Sequence, residues 1–190
     1  ANLELGGPVE RIALGYYHAC ALLTDGAVRC WGSNQYGELG QGHTDHLGDQ
    51  PDEMPPPPIP LGGAAVQIGA GYRHSCALLD TGVLRCWGHN GFGQLGQGHL
   101  DSLGDQPGEM PPPDVPIGDG ISELFVGTYH NCVRFGPEVR CWGYNIHGEL
   151  GYGHLNMLGD EPGELPTPLV PVGGPVTSLC GGFVSTCAIR

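Results

Sequence analysis

One pattern of apolar and polar positions recurs along the chain. In "AAVQIGAGYRHSCALLDTGVLRCWG" the two alternate through a first segment that ends in glycine, then "HSCALL", then "VLRCWG". A period of two suits half-buried strands. The "DTG" between the second and third segments favours a tight hairpin with glycine at positive φ. The same order surrounds "HACALLTDGAVRCWG" and "HNCVRFGPEVRCWG". A glycine-rich stretch such as "NGFGQLGQGH" follows, too poor in helix formers to be a helix. A long loop such as "LDSLGDQPGEMPPPDVP" closes each unit. Its proline run is extended and cannot sit in a central strand.

The register is regular. Cys20, Cys76 and Cys132 are 56 residues apart, and Cys187 follows after 55. Cys30, Cys86 and Cys141 keep step, as do His18, His74 and His130 and also Trp31, Trp87 and Trp142. The repeats run over roughly 7–62, 63–118 and 119–173, with a partial fourth at 174–190, in one segment spanning 1–190. About four strands per ~50-residue unit is the pattern of a β-propeller blade. The predicted fold is therefore all-β: about three and a half four-stranded blades, in a partial ring or in one completed by several chains.

The eight cysteines follow from this arrangement. Facing residues on adjacent antiparallel strands bring Cβ atoms within ~5 Å, near disulfide geometry. The predicted pairs are Cys20–Cys30, Cys76–Cys86 and Cys132–Cys141. Each closes a short loop worth roughly 2–3 kcal/mol in the chain-entropy model. Cys180 stands where the other repeats have Ala13, Gly69 and Phe125, and it is predicted to pair with Cys187 across the turn at 181–185. Such pairing implies an oxidising compartment: extracellular, cell-surface or periplasmic.

Charge narrows the partners. The net charge is −13, and all seven cations are arginines that form no run. Such a surface repels DNA, RNA and anionic lipid, so neither nucleic-acid binding nor membrane insertion is expected. No apolar stretch approaches the length of a membrane span. A phosphate-loop reading of "GSNQYGELGQG" fails for want of a lysine.

A residue repeated in every blade cannot mark a single active site. His18, His74 and His130 are accordingly read as buried groups bonded to a neighbouring loop carbonyl. Arg29, Arg85 and Arg140 are read as partners of acidic residues on adjacent blades. The long loop admits two readings. His43, Asp49 and Glu53, His99, Asp105 and Glu109, and His154, Asp160 and Glu164 keep register. Acidic oxygen donors suit calcium, and a histidine among carboxylates suits a transition metal. The same residues also serve as turn formers. Otherwise no cofactor is implied.

The combination "HxCALL…G.V.CWG.N..G.LG.G" resembles the repeat of the regulator-of-chromosome-condensation family. The paired cysteines and the "LGD.P.EMP" loop are most similar to its secreted bacterial members. The resemblance implies a seven-bladed propeller in which the repeat histidine and tryptophan are structural. One family member exchanges nucleotide on a small GTPase and binds nucleosomes, roles that need a basic surface this chain lacks. Another caps β-lactamases with one propeller face, although no residue here matches that site by motif. Three and a half units do not close a seven-bladed ring. The chain is then a fragment, half of a two-chain ring, or a unit of a head-to-tail filament. The expected function is a non-catalytic scaffold for protein partners outside the cytoplasm. A self-assembling extracellular polymer, associating through open blade edges, and a calcium- or metal-binding module are the alternatives.

Overall fold

The computed structural model describes residues 4–182 and 184–190, which contain eleven strands and no helix. β1 (Val9–Leu14), β2 (His18–Leu23) and β3 (Val28–Gly32) form one antiparallel sheet. β4 (Ala65–Ala70), β5 (His74–Leu79) and β6 (Leu84–Gly88) repeat it, as do β7 (Glu123–Val126), β8 (His130–Phe135) and β9 (Glu138–Gly143). β10 (Ser178–Gly182) and β11 (Ser185–Ile189) form a two-stranded fourth sheet. The blades are all-β as the periodicity requires, and the ring is open. The hairpins turn at Gly26, Gly82 and Gly136, with φ of 82°, 85° and 56°, a region that favours glycine.

The fourth strand of each predicted blade is reduced. The segments at 57–61, 113–117 and 168–172 run beside β3, β6 and β9. They bond through Ile59, Val115 and Val170, whose N–H groups reach Val28, Leu84 and Val139 carbonyls at 2.8 Å each. Pro58 and Pro60, Pro113 and Pro116, and Pro168 and Pro171 flank these contacts and have no N–H to add. Proline thus makes the outer strand an interrupted edge.

Cross-strand register places Cys20 opposite Cys30, Cys76 opposite Cys86 and Cys132 opposite Cys141. Each pair is a disulfide with Cα atoms 4.1 Å apart. Cys180 lies opposite Cys187 and is bonded to it, with Cα atoms 4.9 Å apart. The turn predicted between them contains Phe183, which lies outside the described residues.

The cores lie between blades. Leu22, Val28 and Leu39 of the first pack against Ile68, Ala77 and Trp87 of the second. Leu78, Leu84 and Leu95 of the second pack against Val133 and Trp142 of the third. Fully burying each such aliphatic side chain contributes about 1.5–3 kcal/mol, so neighbouring blades stabilise one another.

Candidate protein-interaction face

The register of each blade gathers two connections at one end. His18 is opposite Gly32, so the β1–β2 link and the loop leaving β3 emerge together. The Ser33 N–H donates to the Tyr17 carbonyl at 2.9 Å. The loop after β3 is closed by Asn34, which is fully buried. Its amide donates to the His43 and Asp45 carbonyls at 2.7 and 2.9 Å and accepts from the Leu39 N–H at 2.9 Å. Asn90 and Asn145 repeat the device. The side chains at this end are therefore held on fixed backbone.

Those side chains form a continuous aromatic surface across three blades. Tyr16, Tyr17 and Tyr72 have ring centroids 4.7–5.2 Å apart. Tyr72 meets Tyr129 at 5.0 Å, and Tyr129 meets Phe92 and Tyr144 at 5.2 and 5.7 Å. Tyr36 and His89 extend the cluster on the loop side, 4.8 Å apart. Tyr16 and Tyr17 are 65% and 43% exposed. The Tyr17 and Tyr72 hydroxyls are 3.3 Å apart, and this contact is the first cause raising the Tyr17 pKa above its ordinary value.

Arg73 lies at the centre of this face. Its guanidinium carbon is 4.4 Å from the Tyr17 ring centroid and 5.1 Å from that of Tyr36, within cation–π range. Its Nη1 donates to Glu38 at 3.1 Å and to Gln35 at 3.2 Å. Glu38 is fully buried and also accepts the Tyr36 N–H at 2.7 Å. One ion pair therefore holds the loop, the arginine and the rings around it. Gln94 and Glu149 take the Glu38 position in the next two blades, bonded to the Phe92 and His147 N–H groups at 2.9 Å each.

Sequence reasoning missed this surface. The signal was present: Tyr16, Tyr17, Tyr72 and Tyr129 lie one or two positions before the repeat histidine, and they account for four of the seven tyrosines.

The histidines are structural, but their partners differ from the expectation. His18 Nε2 lies 2.7 Å from Ser75 Oγ, His74 Nε2 3.0 Å from Asn131 Oδ1, and His130 Nε2 2.7 Å from Thr186 Oγ1. Each reaches a side chain on the second strand of the next blade, not a loop carbonyl. The Asn131 amide donates to the Gln94 carbonyl at 2.7 Å, so its oxygen accepts and His74 Nε2 donates. His74 Nδ1 is buried without a partner, and a second proton there would be an unpaired buried charge. Burial lowers the pKa of His18 to about 4, of His74 to about 3 and of His130 to about 4.

The arginines also depart from the expectation. Arg29 donates to the Pro56 carbonyl and Arg140 to the Ile117 carbonyl, the latter at 2.7 Å. Of these three, Arg85 alone meets an acid, Asp114 at 3.0 Å, and within its own repeat.

The long-loop residues separate into two local devices. His43 and His99 Nδ1 accept the Asp45 and Asp101 N–H groups, and His154 Nδ1 accepts that of Asn156, each at 3.2 Å. Further along, one Glu53 oxygen accepts three N–H groups, from Gly48, Asp49 and Gln50, at 2.8–3.1 Å. Glu109 and Glu164 do the same for Asp105, Asp160 and their neighbours. The backbone bond from Gln50 leads the causes that hold the Glu53 carboxyl below its usual pKa. Asp105 and Asp160 are raised instead, first by burial and then by the adjacent Glu109 and Glu164. Among the described residues no group of three or more His, Cys, Asp or Glu is placed to hold a metal ion. The glutamates cap a turn with the oxygens a cation would need.

Two family models described as regulator of chromosome condensation (RCC1) repeat match the chain, one at 9–38 and 65–94 and the other at 25–78. The crystal structure of Kap60 bound to yeast RCC1 (Prp20) superposes on 97% of the chain and 42% of that one, with a TM-score of 0.73 at 19% identity. Residues 9–94 thus carry RCC1-type repeats, and the fold is that of an RCC1-type β-propeller. A second structure of Saccharomyces cerevisiae Prp20p, reported with its binding to Gsp1p and histones, gives a TM-score of 0.66 at 18% identity over 94% of the chain and 42% of that one. Among curated relatives, the ultraviolet-B receptor UVR8 of Arabidopsis thaliana is 29% identical over 95% of the chain and 39% of its own length. The probable human E3 ubiquitin-protein ligase HERC6 is 32% identical over 93% of the chain but only 18% of its own length. The RCC1-type segment described here therefore spans well under half of either relative. Among the described residues no helix is long and apolar enough to cross a membrane.

Proposed function

We propose that this RCC1-type segment is a non-catalytic protein-binding scaffold that works outside the cytoplasm and engages its partner with the Tyr–Arg face. The observation that carries the reading is the ring cluster of exposed Tyr16 and Tyr17 and half-buried Tyr72 and Tyr129 around Arg73. Tyrosine and arginine dominate the energetic centres of protein interfaces, and rigid rings lose little entropy on contact. The yeast relatives bound to Kap60, Gsp1p and histones are in keeping with protein partners. The four disulfides support an oxidising compartment. The repeat histidines, neutral and committed to inter-blade bonds, offer no general base. The turn-capping glutamates favour a structural role for the acidic loops over a calcium or metal site.

The test is quantitative binding under non-reducing conditions. Proteins retained by the immobilised chain from an extracellular fraction are identified, and each is titrated against wild type, Tyr16→Ser/Tyr17→Ser and Asp25→Ala. Asp25 lies at the opposite, hairpin end of the first blade. At least one partner should lose tenfold or more in affinity with the tyrosine variant alone. Equal binding by all three forms for every partner refutes the assignment of the face.

A further inference from the structure

All eight cysteines are used within blades. Cys20–Cys30, Cys76–Cys86, Cys132–Cys141 and Cys180–Cys187 each join neighbouring strands of one sheet. Successive blades are held by non-covalent contacts instead. Trp87 Nε1 donates to the Glu38 carbonyl at 2.9 Å, over Gly40, whose added Cβ would lie 3.0 Å from that nitrogen. Trp142 Nε1 donates to the Gln94 carbonyl at 3.0 Å, over Gly96, in the same way.

The contact between Tyr17 and Tyr72 has the geometry to become covalent. The two residues occupy matching places in the β1–β2 and β4–β5 links, and those links are already tied together. The Tyr16 N–H donates to the Gly71 carbonyl at 3.1 Å, and His18 reaches Ser75 just beyond, at 2.7 Å. The Tyr17 and Tyr72 hydroxyls are 3.3 Å apart, with ring centroids 5.2 Å apart and planes at 74°. Tyr17 is 43% exposed and Tyr72 is half-buried, so an oxidant reaches the pair from solvent. The Arg73 guanidinium carbon lies 4.4 and 5.8 Å from the two ring centroids. Its charge opposes a ring cation, so the phenol proton leaves together with the electron.

We infer that Tyr17 and Tyr72 are a site of oxidative cross-linking, a carbon–carbon bond between the two rings that staples the first blade to the second. The oxidant is hydrogen peroxide acting through a haem peroxidase, and for that supply alone the inference rests on the oxidising compartment proposed above. Each phenol gives up one electron and one proton, and one peroxide accepts both pairs and leaves as two waters. The unpaired spin of each radical is shared between the oxygen and the ring carbons flanking it. Two such carbons, one Cε of each ring, form the new bond. Their hydrogens then leave as protons and the two oxygens regain protons, so both phenols are restored. Pre-positioning makes this step effectively unimolecular. The Tyr16 and Tyr129 rings, 4.9 and 5.0 Å from that of Tyr72, pass on an oxidation that begins beside the pair. No free cysteine is present among the described residues to quench it. The link keeps both hydroxyls on the face and closes a loop over 17–72, restricting the unfolded chain as a disulfide does.

The test treats dilute, unreduced protein with a haem peroxidase and hydrogen peroxide, followed by thiol reduction, alkylation and trypsin. Peptides 12–29 and 30–73 should appear joined and lighter by two hydrogens than their sum, with fragment ions placing the bond between Tyr17 and Tyr72. Dityrosine fluorescence should accompany them. Tyr17→Phe and Tyr72→Phe keep a ring but not a phenol, and each should cut the yield within the chain by about tenfold or more. Tyr16→Phe removes the most exposed of the described tyrosines and should leave that yield unchanged. An equal yield from Tyr17→Phe overturns the inference, as do cross-links formed only between chains. A bond from Tyr72 to Tyr129, joining peptides 30–73 and 86–134, overturns the assignment of the pair. None of these readouts involves a protein partner or a compartment, so failure here and failure of the scaffold role are separate results.

Discussion

Mild acid should destabilise this protein through its inter-blade histidines. His18, His74 and His130 are buried and neutral, with pKa values of about 4, 3 and 4, against about 6.5 in an unfolded chain. These folded values are depressed, so between roughly pH 6.5 and 4 the unfolded state binds more protons. The stability linked to each histidine is fully present above pH 6.5 and is lost as the pH falls toward the folded value. Between pH 8 and pH 5 the loss works out at about 2 kcal/mol for each histidine, or about 6 kcal/mol for the three. A domain of this size has only about 5–15 kcal/mol in total. Half-buried His89 is lowered by burial as well and acts in the same direction.

Urea denaturation with disulfides intact, at pH 8 and pH 5, measures the effect. The deciding comparison is His74→Gln, which keeps a donor for Asn131 but cannot titrate. Carboxylates contribute equally to both proteins, including Asp105 and Asp160, whose raised values act in the opposite sense. The variant should therefore lose about 2 kcal/mol less than wild type between the two pH values, whatever its absolute stability. If the two proteins show the same difference, His74 is not the buried neutral group described here.

Two further perturbations probe other parts of the structure. Arg73→Tyr strands the buried Glu38 carboxylate and should cost about 3–5 kcal/mol; adding Glu38→Gln puts at these two places the residues that the next repeats carry there, Gln94 and Tyr129, and should recover most of the loss, read as a coupling energy in a double-mutant cycle by urea denaturation. Glu53→Gln should lower the melting temperature by no more than about a few degrees, and calcium should leave the wild-type midpoint unchanged because three amide donors already occupy the carboxylate oxygen; a calcium-dependent rise in the midpoint would restore the metal reading.

Much of the architecture was legible because it depends on spacing. A 56-residue interval, a period of two and a turn glycine suffice to place β2, β3 and their disulfide. The fourth strand was only half legible: its prolines signalled an edge, but not that a single N–H near the middle, such as that of Val115, would carry the pairing. The histidine partners were not legible at all. Ser75, Asn131 and Thr186 share no chemistry beyond a side-chain oxygen, and they face the histidines only after the blades pack.

The aromatic face shows why a repeat hides its own function. Selection for stacking keeps positions alike where each blade must fit the next: the histidines, the later tryptophans, and the glycines beneath them. A partner is touched by one blade differently from another, so recognition has to be carried where the copies diverge. Those positions lie beside the fixed ones. Tyr17, Arg73 and Tyr129 directly precede the repeat histidine, and Tyr36, Phe92 and His147 occupy matching places in the loop after the third strand. The buried asparagines and the Glu38, Gln94 and Glu149 side chains fix the backbone on which these residues vary.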